Sequence, residues 1–152
     1  MATMLPFLPL IGGGETKFQP VYVGDVAEAA TRALDGAMVP GLYELGGPEV
    51  VSFKALLQYI LAVTNRKRLL LPLPFPLARM QASVMELLPN PLLTVDQVTL
   101  LERDNVVSEA AIKEGRTLAA IGITPTSYEA IVPGYLYRFR KHGQFERVDV
   151  KG

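Results

Sequence analysis

Catalysis and metal binding need side chains that donate, accept or ligate in groups, and such groups are few in this chain. There is no cysteine and a single histidine, His142, so disulfides and thiolate metal sites are excluded, and a zinc site or histidine triad lacks its parts. Carboxylates stand at Glu44, Glu49, Asp96, Glu102 and Asp104, but no spacing among them points to paired acid–base work. Most read as surface or cap residues. Gly12-Gly13-Gly14 invites comparison with a phosphate-cradling loop. No Gly-Lys-Ser/Thr follows, the G-x-G-x-x-G spacing is absent, and the next element reads as a strand, so the glycines are assigned to a turn. Arg66-Lys67-Arg68 lies between a helix end and the oily, proline-studded run LLLPLPFP. It has two readings: a complement to the helix dipole, or a membrane-surface patch. Arg138, Arg140, Lys141 and His142 cluster at another helix end, again a dipole and solubility pattern.

These residues are positioned by a strand-to-helix corner at FQPVYVGDVAEAATRAL, residues 18–34. Pro20 to Val23 reads as a short strand. Asp25 then opens a helix, its carboxylate capping the first turn, with Val26, Ala29, Ala30, Ala33 and Leu34 at i, i+3, i+4, i+7 and i+8. Asp35-Gly36 closes that helix, and Leu42 to Leu45 is a second short strand turned by Gly46-Gly47-Pro48. Ser52 caps a helix running to about Asn65, with Phe53, Leu56, Leu57, Ile60 and Leu61 as its apolar stripe. Leu77, Met80, Val84, Leu87 and Leu88 mark a third helix that Pro89-Asn90-Pro91 ends. Thr94 with Gln97 is a capping box for a fourth, through Arg103. Ser108 to Lys113 and Thr117 to Ile121 are short helical turns. Thr126 with Glu129 starts a last helix, Ser127 to Lys141, with a break expected at Pro133-Gly134.

The length, 152 residues, predicts one domain over 1–152, with 143–152 as a flexible tail. Hydrophobic residues make up 49% and charged residues 20%, a globular balance, and 15 basic against 15 acidic residues give no electrostatic reason to expect nucleic acid. The apolar start, Met1 to Ile11, has no basic leader and is interrupted by Pro6 and Pro9. No apolar run approaches the ~18 residues of a spanning helix, and the expectation is a soluble intracellular protein.

Val23-Gly24-Asp25-Val26-Ala27 resembles the V-x-D-V-A segment in the C-terminal half of the extended and atypical short-chain dehydrogenase/reductases, the NAD-dependent epimerase/dehydratase superfamily. Gly41 to Glu49 and then Ser52 to Leu57 match that family's next strand, Gly-Gly turn and helix. With Leu88-Pro89-Asn90-Pro91, Asp96-Gln97-Val98 and Asp104 to Val107, the chain most resembles the accessory-subunit branch of respiratory complex I and its bacterial homologues. The likeness runs from about Phe7 to Phe145.

The resemblance implies an α/β fold: the C-terminal, substrate-side part of such a dehydrogenase, with few short strands and five to six helices. The strand, Gly-rich turn and helix that open the family's N-terminal Rossmann nucleotide-binding core do not occur, implying a portion of something longer. It further implies NAD(P)(H) in the full-length protein and none on this portion, which would not catalyse hydride transfer alone. The family moves a proton with a Tyr-x-x-x-Lys pair. Only Tyr137-Arg138-Phe139-Arg140-Lys141 satisfies that bare pattern, beyond the family's substrate half, and it is assigned to coincidence.

In the segment from Lys17 to Val23, alternation puts Phe18, Pro20 and Tyr22 on one side and Gln19, Val21 and Val23 on the other. The resemblance makes Lys17, Phe18, Pro20 and Tyr22 substrate-pocket residues and sets Gln19 beside the cofactor. Sugar-nucleotide members carry a phosphate-binding arginine where this chain has Phe18. Without that guanidinium a nucleotide-sugar is disfavoured and a flat apolar ligand, a quinone or isoprenoid, fits better, although Lys17 can supply part of the charge. Three roles follow: a stabilising part in complex I assembly with little turnover, an NAD(P)-dependent reductase or epimerase on an apolar substrate, or an independent protein- or lipid-interaction domain. The partners implied are the protein's own Rossmann domain, complex I subunits, a membrane surface and a second copy of the chain. The setting implied is the mitochondrial matrix side or the bacterial cytoplasm.

Overall fold

The computed structural model describes residues 7–89 and 91–140. Asn90, Lys141, His142 and the tail 143–152 lie outside the described residues, as do the first six. Among the described residues, four short strands and six α-helices form a mixed α/β fold, as the sequence predicts. The described residues gather into two compact units, one drawn from within 1–16, 52–104 and 133–152 and the other from 17–51 and 105–132.

The first unit is built on two parallel strands, β1 (Phe7–Ile11) and β4 (Leu69–Leu73), in register from Phe7 opposite Leu69 to Ile11 opposite Leu73. Between them in sequence comes α2 (Phe53–Val63), where Ser52 accepts a hydrogen bond from the Ala55 N–H at 3.1 Å, the cap expected of it. β1 ends in a turn of three left-handed glycines, with φ of 60°, 72° and 76° at Gly12, Gly13 and Gly14. A Cβ on Gly12 would meet the Phe75 ring at 2.3 Å, so the turn is also a packing surface.

After Pro74 the chain enters α3 (Phe75–Met85), and α4 (Val95–Leu100) packs against it. Ala78 and Ala82, one turn apart and fully buried, let other elements approach closely; with Ile11, Leu93 and Val98 they form the core of the unit. The predicted capping box is present in full. Thr94 Oγ1 accepts from the Gln97 N–H and Gln97 Oε1 accepts from the Thr94 N–H, each at 3.2 Å. A six-residue helix has little propensity of its own, so Thr94→Ala is expected to cost about 1 kcal/mol, read as a lower urea midpoint with unchanged slope.

The Arg66 N–H closes the end of α2 by donating to the Leu61 carbonyl at 2.9 Å, while its side chain reaches beyond that helix. Its Nε and Nη2 donate to the Phe139 carbonyl at 3.1 and 3.0 Å, while Arg140 Nε donates to the Val63 carbonyl in the last turn of α2, at 3.1 Å. The helix stops because Asn65 turns left-handed, with φ of 51°.

The second unit holds β2 (Lys17–Phe18), α1 (Val23–Leu34), α5 (Glu109–Lys113) and the start of α6 (Tyr128–Leu136). β2 pairs with β3 (Val51–Ser52) and is bridged to Asn105. Ala29 on α1 packs with Leu118 and Ile123, and Val21 and Leu45 close over them. Two expected strands do not form. Residues 20–22 are irregular and Val23 is already helical, while Leu42 to Leu45 is held by a single backbone bond, from the Glu44 N–H to the Arg116 carbonyl at 3.0 Å. A strand needs a continuous ladder, and neither segment has one. α6 runs through Pro133 without the predicted break and continues as a 3₁₀ turn, Tyr137–Phe139.

Candidate functional site

Gln19, which the resemblance alone would set beside a cofactor, is the centre of a clasp in the structure. Its Nε2 donates to the Gly47 carbonyl at 2.8 Å, its Oε1 accepts from the Val107 N–H at 2.9 Å, and its own N–H donates to the Asn105 carbonyl at 3.0 Å. One side chain thus ties three stretches of the unit together. Gly46 and Gly47 make this possible by their size: a Cβ on Gly46 would lie 2.6 Å from the Gln19 amide carbon, and one on Gly47 would lie 1.9 Å from the Pro20 carbonyl oxygen. The clasp borders a cleft of about 240 Å³ walled by Gln19, Gly46, Gly47, Val107, Ile112 and Leu118.

Of the sequence-predicted site residues, only Gln19 lines that cleft. Lys17 is exposed and Phe18 half-buried on β2; Pro20 and Tyr22 are half-buried in the irregular segment, and the Tyr22 ring lies over Gly24, where a Cβ would meet it at 2.3 Å. The two-sided alternation predicted for Lys17 to Val23 stops with β2 at Phe18. Asp25 does not cap its own helix. α1 begins two residues earlier with Tyr22 at its N-cap, and the buried Asp25 carboxylate accepts from the Thr126 N–H at 2.7 Å and the Thr126 hydroxyl at 2.9 Å. With Thr126 so engaged, Ser127 meets the first turn of α6, accepting from the Glu129 N–H at 3.2 Å.

A third polar tie stands in the sequence only as an unassigned carboxylate. Glu44 accepts from the Ser108 N–H at 2.7 Å and the Ser108 hydroxyl at 2.9 Å, while Ser108 Oγ caps α5 by accepting from the Ala111 N–H at 3.2 Å. The Ser108 N–H bond first, and then its hydroxyl, hold the Glu44 carboxyl below its ordinary value; Arg116 adds to this and partial burial opposes it. A group depressed in the folded state contributes stability above its unfolded value that is lost as pH falls through the folded one. Urea melts should therefore show wild type losing stability below about pH 4.5, with Glu44→Gln losing less over the same range. Parallel curves would contradict the assignment.

Glu49 Oε2 is shielded and accepts no hydrogen bond among the described residues. No group of three His, Asp or Glu residues that can hold a metal ion occurs among them either. The Tyr137–Lys141 pair cannot be placed, since Lys141 lies outside the described residues. No described helix is long and apolar enough to cross a membrane.

No family model matches the chain. It is 36% identical over 148 residues, 90% of its length, to the Arabidopsis thaliana protein "NADH dehydrogenase [ubiquinone] 1 alpha subcomplex subunit 9, mitochondrial", of which it spans 36%. In fold it is similar to the crystal structure of gox2253, with a TM-score of 0.57 at 23% identity, covering 95% of this chain and 42% of that one. The second match bears on the α/β fold alone; the first bears out the resemblance drawn from Val23–Ala27 and Gly41–Leu57, that of the C-terminal portion of an NAD-dependent epimerase/dehydratase protein similar to the accessory subunit of respiratory complex I.

Proposed function

We propose that this chain is the substrate-side part of an NAD(P)-binding accessory-subunit-like protein that stabilises respiratory complex I with little turnover. The observation that carries the reading is the 36% identity to the alpha-subcomplex subunit 9 protein. The site chemistry supports it: Gln19, Asp25 and Glu44 direct their polar atoms at the protein's own backbone N–H and C=O groups, which builds a rigid wall. In the whole protein an N-terminal Rossmann domain holds NAD(P)(H), Gln19 lies on the cofactor side, and Lys17, Phe18, Pro20 and Tyr22 face the substrate side.

The test uses the protein from its natural host. Deleting its gene should lower the amount of assembled complex I on native gels, and the purified protein should release NAD(P)(H) on denaturation without sustained oxidation of NAD(P)H by quinones or sugar nucleotides. Unchanged complex I after deletion would sink the assembly role. Sustained turnover with a quinone would make the protein a reductase.

A further inference from the structure

The charge of this chain is balanced overall but not along its length. Between Glu49 and Glu86 the sequence holds Lys54, Arg66, Lys67, Arg68 and Arg79 and no acidic residue. In the first unit, Lys54, Gln58, Arg66 and Lys67 line one cleft of about 560 Å³ over a floor of Leu61 and Leu69. No carboxylate lines it, and among the described residues no salt bridge engages Lys54, Arg66 or Lys67. Nor does the end of α2 need these charges, because the carbonyls of its last turn are already answered. Ile60 accepts from the Thr64 N–H at 3.0 Å, Leu61 from the Arg66 N–H at 2.9 Å, Ala62 from the Asn65 N–H at 3.1 Å and Val63 from Arg140 Nε at 3.1 Å. The Arg66 guanidinium is anchored through Nε and Nη2 on the neutral Phe139 carbonyl, which holds it in place and leaves its charge uncompensated. Lys54 and Gln58, one turn apart, share a face of α2, and Leu69 is 72% exposed beside them.

We propose that this cleft binds a soluble phosphate monoester, its phosphate among Lys54, Arg66 and Lys67 and its organic part against Leu61 and Leu69. A monoester carries about −1.5 to −2 charges at neutral pH and offers three acceptor oxygens, which suits several cations gathered on one concave surface. A single carboxylate answers fewer of them. The leucine floor gives the organic part somewhere to lie, so an ester is favoured over the inorganic ion, and the volume falls within the ~300–1,000 Å³ of small-molecule sites.

Calorimetric titration of the full chain with phenyl phosphate should show saturable binding, about tenfold tighter than that of inorganic phosphate, the gain expected from about 55 Å² of newly buried apolar surface. Binding should weaken as sodium chloride is raised. Lys54→Gln with Lys67→Gln, both at exposed positions, should weaken it about 25-fold, roughly fivefold for each charge. Lys113→Gln, on α5 in the second unit, should leave it unchanged. Leu69→Ser should abolish the preference for the ester while inorganic phosphate binds as before, with circular dichroism unchanged in every variant. No saturable heat with either probe, or equal affinity in wild type and the double lysine variant, would overturn the proposal. Displacement of phenyl phosphate by polyglutamate binding more tightly would replace it with an acidic protein segment. Displacement by phosphatidylglycerol vesicles and not by phosphatidylcholine vesicles would replace it with a lipid head group. None of these readouts depends on nucleotide or on complex I, so they stand apart from the test of assembly.

Discussion

Gly47→Ala is expected to destabilise the second unit by about 3 kcal/mol or more, the largest effect of any single methyl addition in that unit. The added Cβ would lie 1.9 Å from the Pro20 carbonyl oxygen and 3.0 Å from its carbonyl carbon. Both are backbone atoms, which cannot swing aside as a side-chain tip can. Relief requires the Gly46–Pro48 turn to move away from residues 19–21, and that movement pulls the Gly47 carbonyl off Gln19 Nε2, now 2.8 Å away. Steric and hydrogen-bond losses therefore fall together. Gly36→Ala is the control. Gly36 has φ of 72°, and a methyl group there would meet nothing within 4 Å, so only backbone strain of about 1 kcal/mol is expected. Gln19→Ala alone leaves the Val107 N–H and Gly47 carbonyl without their partner and should cost about 2 kcal/mol. Combined with Gly47→Ala, the losses should sum to less than their total, because the first substitution has already broken one of the bonds. A urea midpoint for Gly47→Ala close to that of Gly36→Ala would show that the turn relaxes freely and that the clasp is not rigid.

Features that depend on a few neighbouring residues are legible in the sequence. Ser52 before Phe53-Lys54-Ala55 and Thr94 three residues before Gln97 announce helix starts because donor and acceptor lie within one turn. The same logic misassigns Asp25. Its position at a helix start is correct, but its partner is Thr126, 101 residues away, and no local pattern carries that pairing. Gln19 likewise meets Gly47 and Val107 across 28 and 88 residues. Strands fail for a related reason: a strand exists only where a neighbour supplies the ladder, which Lys17 and Phe18 have and the rest of the segment to Val23, like Leu42 to Leu45, does not. The Gly46-Gly47 pair reads as a turn, and its size requirement becomes visible only with the Pro20 carbonyl and Gln19 packed against it.

Asp25→Ala is expected to cost about 3 kcal/mol, and the pattern across three substitutions separates its causes. The carboxylate is only 6% exposed and receives both the Thr126 N–H and the Thr126 hydroxyl, so truncation strands two donors in the interior, each bond to a charged acceptor contributing about 1.5 kcal/mol or more. Loss of a negative charge from the first turn of α1 adds a few tenths of a kcal/mol. Asp25→Asn keeps the shape: its carbonyl can accept the Thr126 N–H and its amide can donate to the hydroxyl oxygen, so a loss of about 1 kcal/mol is expected from the weaker neutral bonds. Thr126→Val removes the hydroxyl alone and should cost about as much, because the shorter 2.7 Å bond to the backbone survives. The V-x-D-V-A aspartate is then a structural tie between α1 and the lead-in to α6, independent of any ligand. If Asp25→Asn proves as damaging as Asp25→Ala in urea melts, the charge itself is what the unit needs, and the hydrogen-bond account of this residue fails.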